Sequence, residues 1–283
     1  MTKIGIAFGS GGARGIAHLL MIEALEELGL KPFMISGSSI GAVVGAFYAA
    51  GYSSKEMKEI LNNMLFPNNG KLSDFFRRSD IINILTMFDL QLLKSGFIKG
   101  DRLEAYLQSY LKITTFEELK IHLKIISTDY WKKEEIIFER GKLIPAIRAS
   151  YSLPGLFTPV KFHNRIFIDG GAVNPLPFDV LLRDCDLTIA IDVTAYKTSN
   201  EKEYPPTFES VFTTYQIMQN SISQQKLKFI QPDIYIRPEI KDVRVFDFTK
   251  IETIFKQAIP AKEQLKRKLE KLIEHKSSAG DVD

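Results

Sequence analysis

Ser39 lies in Gly37-Ser38-Ser39-Ile40-Gly41, with a glycine two residues away on either side. That spacing suits a nucleophile. A reactive serine must sit on a tight turn, and the flanking glycines let a strand and a helix approach without Cβ clashes. Acyl transfer at such a serine also needs donors for the oxygen that gains charge, and a base. Gly9-Ser10-Gly11-Gly12-Ala13-Arg14-Gly15 can supply the donors, because the N–H groups of Gly11 and Gly12 can face an acyl oxygen as an oxyanion hole. Two phosphate-binding readings compete for these glycines. A dinucleotide fingerprint finds Arg14 where its third glycine belongs, and a P-loop lacks its Gly-Lys-Ser/Thr.

The base is a choice among few residues. The chain has four histidines, His18, His122, His163 and His275. An order Ser39, Asp169, His275 would follow the α/β-hydrolase triad. His275, however, stands among charges beside a segment read as disordered, a poor place to hold a base within ~3 Å of its target. Asp169 is the stronger candidate. It ends the predicted strand Arg165–Ile168 and precedes Gly170 and Gly171, so backbone can crowd its carboxylate. Asp192 also ends an apolar run but has no adjacent glycines. Arg14 is a candidate substrate-binding residue that would either orient the glycine loop or meet an anionic headgroup, and His18 reads as a packed, hydrogen-bonded residue. No His/Cys/Asp set has zinc spacing and no acidic loop has EF-hand spacing, so neither a metal nor a cofactor is expected.

The elements that must position these residues alternate. Lys3–Phe8 reads as a strand and Ile16–Leu28 as a helix ended by Gly29. Phe33–Ser36 reads as a second strand, and Ile40–Ala50 as a helix ended by Gly51. Another helix follows through Leu65, capped by Ser53 or Ser54. This order implies a parallel sheet covered by helices, a three-layer α/β/α fold with a mainly parallel central sheet. Further along, Leu123–Tyr130 and Glu135–Glu139 read as paired strands and Leu187–Val193 as a buried strand. Phe208–Phe229 and Ile251–Glu274 read as long helices. Residues 1–275 are expected to form a single domain and 276–283 a disordered tail. The segment 66–100 interrupts the alternation. It is rich in large apolar residues around Phe75–Phe97 and reads as a lid or insertion.

Bulk properties narrow the class. A net charge of +3 over 283 residues does not mark a nucleic-acid binder, although it permits peripheral contact with an anionic membrane. One cysteine, Cys185, excludes an internal disulfide and suits a reducing, cytoplasmic setting. The uncharged stretch 32–54 has the length of a membrane span, but Gly37, Ser38 and Ser39 break it where a helix would have to continue.

Taken in order, Gly-Ser-Gly-Gly-Ala-Arg-Gly, Gly-Ser-Ser-Ile-Gly and Asp-Gly-Gly resemble the three signatures of the patatin-like phospholipase family. Ala149-Ser150 through Pro154-Gly155-Leu156-Phe157, and Asn174-Pro175-Leu176-Pro177, resemble its flanking segments. The similarity covers roughly 3–193. One departure is Ser10, where many members carry a third glycine before the pair. The resemblance implies a Ser–Asp dyad of Ser39 and Asp169 with donors at Gly11 and Gly12, and hydrolysis of phospholipid, lysophospholipid or acylglycerol esters through an acyl-enzyme. A non-catalytic lipid- or partner-binding module on the same fold is the alternative of a different class.

Overall fold

A computed structural model describes residues 2–65, 100–194, 204 and 207–279. The expected lid lies, apart from Gly100, outside the described residues. In chain order the elements are β1 (Ile4–Phe8), α1 (His18–Glu27), β2 (Met34–Ser38), α2 (Ile40–Ala50), α3 (Ser54–Leu65) and α4 (Asp101–Tyr110). They continue with β3 (His122–Asp129), β4 (Glu134–Phe138), α5 (Leu143–Ser150), β5 (Val160–Phe162), β6 (Arg165–Asp169) and β7 (Leu187–Ile191). The last three are α6 (Thr207–Phe229), β8 (Ile234–Ile236) and α7 (Ile251–Ala279).

One mixed sheet runs β5-β6-β3-β2-β1-β7-β8, with β4 paired to β3. Its centre is parallel: β1 lies between β2 and β7, and β2 beside β3. Strands covered on both faces must be mostly apolar, which is why β1 and β7 carry no charge and the one hydroxyl, Thr188 in β7, is hydrogen-bonded to Asp233. The two faces are unequal. Ile6, Phe8, Ile189 and Ile191 face the large core formed with α1, α2 and α7, whereas Ala7 and Ala190 alternate onto a smaller cluster with Leu176, Phe178 and Leu181. Large side chains fill the thick layer and alanines let the thin one approach.

The edge of β3 sets the geometry of the site. β2 occupies that edge parallel to β3, and its last residue, Ser38, pairs with Ile126. β6 takes over the same edge antiparallel, and its last residue, Asp169, pairs with Ser127. β4 pairs with the opposite edge over residues 125–129. The C-terminal ends of β2 and β6 therefore meet head-on against one neighbour.

Some boundaries depart from expectation. The glycine loop enters α1 through a 3-10 segment, Gly12–Ala17, rather than as regular helix from Ile16. α7 continues through Ala279, so 276–279 are helical and not the start of a disordered tail. Each added residue extends a helix at the gain of one hydrogen bond, and no glycine intervenes before Gly280. The short strand β5 was not legible, since Val160–Phe162 is too brief to show alternation. Among the described residues, no helix is long and apolar enough to cross a membrane.

Candidate active site

The turn after β2 carries Ser39 in an unusual backbone state, with φ 55 and ψ −122. A non-glycine residue with positive φ is costly and persists only where its surroundings force it. Here they do. A Cβ on Gly37 would meet the carbonyl of Gly41, and one on Gly41 would meet that of Phe8. Strand, turn and helix can pack this closely only with glycine at both positions. The Ser39 N–H donates to Ser150 Oγ at 2.9 Å, which ties the turn to the end of α5. The Ser39 side chain stands at the N-terminus of α2, where the helix dipole favours negative charge.

Ser39 Oγ donates to Asp169 Oδ2 at 2.7 Å. The other carboxylate oxygen, Oδ1, accepts the Gly171 N–H at 2.7 Å and the Tyr215 hydroxyl at 3.3 Å. The Asp169 N–H donates to the Ser152 carbonyl at 2.9 Å. Both flanking glycines are needed for this crowding. A Cβ on Gly170 would meet the Ile126 carbonyl, and one on Gly171 would meet the Gln219 amide and Asp169 itself. Asp169 is buried, and burial raises its carboxyl to about 6, with the three hydrogen bonds only partly opposing that rise. At neutral pH it is ionised yet basic enough to take a proton.

The glycine loop leaves β1 held by three backbone bonds, Gly9 N to Ile191 O, Ser10 N to Pro175 O, and Ala13 N to Val245 O. Between them, the Gly11 and Gly12 N–H groups have no partner among the described residues, and both glycines line the cavity that contains Ser39 and Asp169. Gly12 has φ +58, and a Cβ there would strike Val245, while one on Gly11 would strike the Val193 carbonyl. Arg14 turns away from this cavity. Its buried guanidinium donates to Val193 O at 3.1 Å and Val243 O at 2.8 Å, and burial lowers it to about 10, still charged at neutral pH. Arg14 thus braces the loop and does not line the cavity.

The remaining candidates separate cleanly. His18 is buried, donates from Nε2 to the Gly9 carbonyl at 2.9 Å, and is lowered by burial to about 4, so it is neutral. No histidine bonds to Ser39 or Asp169 among the described side chains. Asp192 has its own partners: Oδ1 accepts the Thr194 N–H and hydroxyl, and Oδ2 the Tyr235 hydroxyl. Among the described residues, no group of three or more His, Cys, Asp or Glu could hold a metal ion.

The cavity, about 90 Å³, also has walls that sequence reasoning missed. Phe212, Tyr215, Gln216 and Gln219 come from α6, and Val245, Phe246 and Phe248 from the segment before α7. A signal was present in the spacing of Phe212, Tyr215, Gln216 and Gln219, which places them on one face of a helix. Nothing in that stretch says which side of the sheet the face meets.

An α/β sheet with a strained serine turn, a buried carboxylate and a glycine loop at its carboxyl ends has the build of a serine hydrolase. The chain belongs to the patatin-like phospholipase family, whose model matches residues 6–182. It is 30% identical over 208 residues to an uncharacterized NTE family protein of Mycobacterium tuberculosis, covering 72% of this chain and 52% of that one. It is 29% identical over 276 residues to a lysophospholipase NTE1 of Saccharomyces cerevisiae, covering 89% of this chain and 16% of that one. The chain thus spans about half the length of the mycobacterial relative and a small part of the yeast one. Among solved structures, VipD from Legionella pneumophila aligns with a TM-score of 0.49 and 14% identity, covering 93% of this chain and 67% of that one.

Proposed function

We propose that this chain hydrolyses carboxylic esters of lipids, whether phospholipid, lysophospholipid or acylglycerol, through a Ser39–Asp169 dyad. The observation that carries the reading is the 2.7 Å hydrogen bond from Ser39 Oγ to a buried carboxylate whose pKa is raised to about 6. As Oγ attacks the ester carbonyl, its proton passes to Asp169 Oδ2 and the carbonyl π electrons move onto oxygen. The N–H groups of Gly11 and Gly12 would face that oxyanion, each such donor typically stabilising it by ~3–4 kcal/mol. Collapse expels the alcohol, which takes the proton from Asp169 and leaves an acyl-serine. Water then attacks in the same way, delivering its proton to Asp169, and Ser39 recovers that proton as the fatty acid leaves. Membership of the patatin-like phospholipase family and the named lysophospholipase relative support the lipid substrate. Such a substrate implies peripheral contact with a lipid surface.

A fluorophosphonate probe and a panel of defined lipids test the reading. The protein should label and cleave lipid esters, and Ser39→Ala should abolish both without lowering the melting temperature. Labelling at another serine would refute the assignment of Ser39. Absence of both labelling and turnover would favour the non-catalytic lipid-binding alternative.

A further inference from the structure

Beside the cavity that contains Ser39 lies a second pocket, about 120 Å³, between α2, α3 and α4. The two share a wall made of Ile40, Val43, Leu103 and Phe248. We propose that this second pocket receives the acyl chain of an ester held at Ser39, and that Leu61 and Met64 on its α3 wall limit the chain length accepted. The inference rests on Ser39 being the nucleophile.

Three observations converge. The first is continuity. Ile40 follows Ser39 directly and Val43 lies one turn further along α2, so a chain leaving the Ser39 carbonyl site can lie along that helix face. The same face continues to Val44 and Phe47, which line the second pocket and not the first. From Ile40 to Phe47 the helix rises about 10 Å, the scale of a medium to long acyl chain and not of an acetyl group. The second observation is chemistry. The first cavity combines Ser39, Asp169, Gly11 and Gly12 with apolar walls, whereas the second presents no polar surface at all. Its one hydroxyl-bearing neighbour, Tyr106, directs that group to the Ile60 carbonyl. Nothing there can hold water, a headgroup or a glycerol, so the hollow favours a purely apolar guest.

The third is cost. Protein interiors are packed as closely as organic crystals, and apolar hollows destabilise the fold that keeps them. This one is bordered by Met57, Leu61 and Met64, side chains long enough to adapt to a guest. A hollow that adjoins a reactive serine and admits only hydrocarbon fits the apolar half of an ester substrate.

The test uses p-nitrophenyl esters of graded chain length below their micellar concentrations, together with displacement of the fluorescent fatty acid cis-parinaric acid. Unmodified protein should bind parinaric acid, and fatty acids should displace it more tightly as they lengthen. Leu61→Trp should lower the decanoate-to-acetate ratio of kcat/KM at least tenfold and weaken parinaric acid binding. Met64→Phe gives a second, smaller filling should the tryptophan variant not fold. A ratio unmoved by either filling, or displacement independent of chain length, would overturn the proposal. A lower melting temperature with the ratio unmoved would also overturn it and mean that another part of this chain packs there. Failure of the Ser39 reading is distinguishable, since ester hydrolysis would then survive Ser39→Ala while parinaric acid binding remained intact.

Discussion

The ends of β6 and β7 each hold a buried carboxylate, and their surroundings differ in one decisive way. Asp192, just past β7, has a cation to answer its charge, with Arg237 Nε 3.8 Å from Oδ2, beside the Thr194 and Tyr235 bonds. Asp169, at the end of β6, has among the described residues only neutral donors, Ser39, Gly171 and Tyr215. Burial without a countercharge favours the protonated form, and Asp169 is accordingly raised to about 6. A paired buried acid holds structure together. An unpaired one is kept at a cost to stability, and one bonded to a strained serine hydroxyl has a use for that cost.

The sharpest way to break this comparison is to neutralise Asp169. Asp169→Asn keeps the shape and loses the proposed base, so kcat/KM should fall by roughly a thousandfold or more, the usual scale for a positioned general base. Stability should move the opposite way. Because the folded pKa of about 6 lies above the ordinary value of 3.8, the contribution of Asp169 to stability is fully present below pH 4 and is lost as pH rises through 6. Asparagine does not titrate. The variant should therefore gain up to about 3 kcal/mol over the wild type at pH 8 and little at pH 4. Denaturant unfolding at the two pH values measures this. A variant less stable at pH 8 would mean that Asp169 is structural.

In the wild type the same titration should govern turnover, since in the proposed dyad only the ionised carboxylate can accept the Ser39 proton. The kcat/KM profile should rise with pH through about 6 and flatten above it. A profile with no inflection near that value would remove Asp169 from the role of base.

The converse substitution, Asp192→Asn, should spare chemistry and cost stability. Removing the charge takes one acidic neighbour from the partly exposed Arg237 and from the buried Arg14, which keeps Asp247, at a cost of about 2 kcal/mol. Activity should fall less than tenfold, through looser support of the glycine loop at Val193. A loss comparable to that of Asp169→Asn would show that the two acids had been assigned the wrong way round.

Tyr215→Phe is the gentlest perturbation. The hydroxyl lies 3.3 Å from Asp169 Oδ1 and helps to hold the carboxylate ionised. Losing it should move the midpoint of the pH profile upward and cut kcat/KM by roughly threefold to tenfold near pH 6, less at pH 8. A uniform loss at all pH values would instead mark Tyr215 as a wall of the cavity.

How much of this could be read from the chain depends on where the information is local. The Ser39 turn is local. Glycines at 37 and 41, an apolar strand before and a helix after specify a strained turn within about ten residues, and α2 begins and ends where its pattern says. Gly11 and Gly12 are legible for the same reason, since backbone that must pass close to other backbone forbids a Cβ. Asp169 was legible as a carboxylate amid glycine. The lack of a countercharge among the described residues was not, because that depends on what every neighbouring element leaves out.

The sequence by itself determined the candidate reactive groups, the layered α/β alternation and the helices' apolar faces, all of which depend on residues close along the chain. Only the tertiary structure decided that β2 and β6 end against one edge of β3, which brings residues 39 and 169 within a hydrogen bond. It alone decided that Arg14 braces a loop, that Tyr215 reaches Asp169, and that a featureless stretch around 245–248 closes the cavity. Strand order and the docking of α6 are set by the burial of whole faces, a sum over many weak, non-directional contacts that no short motif records.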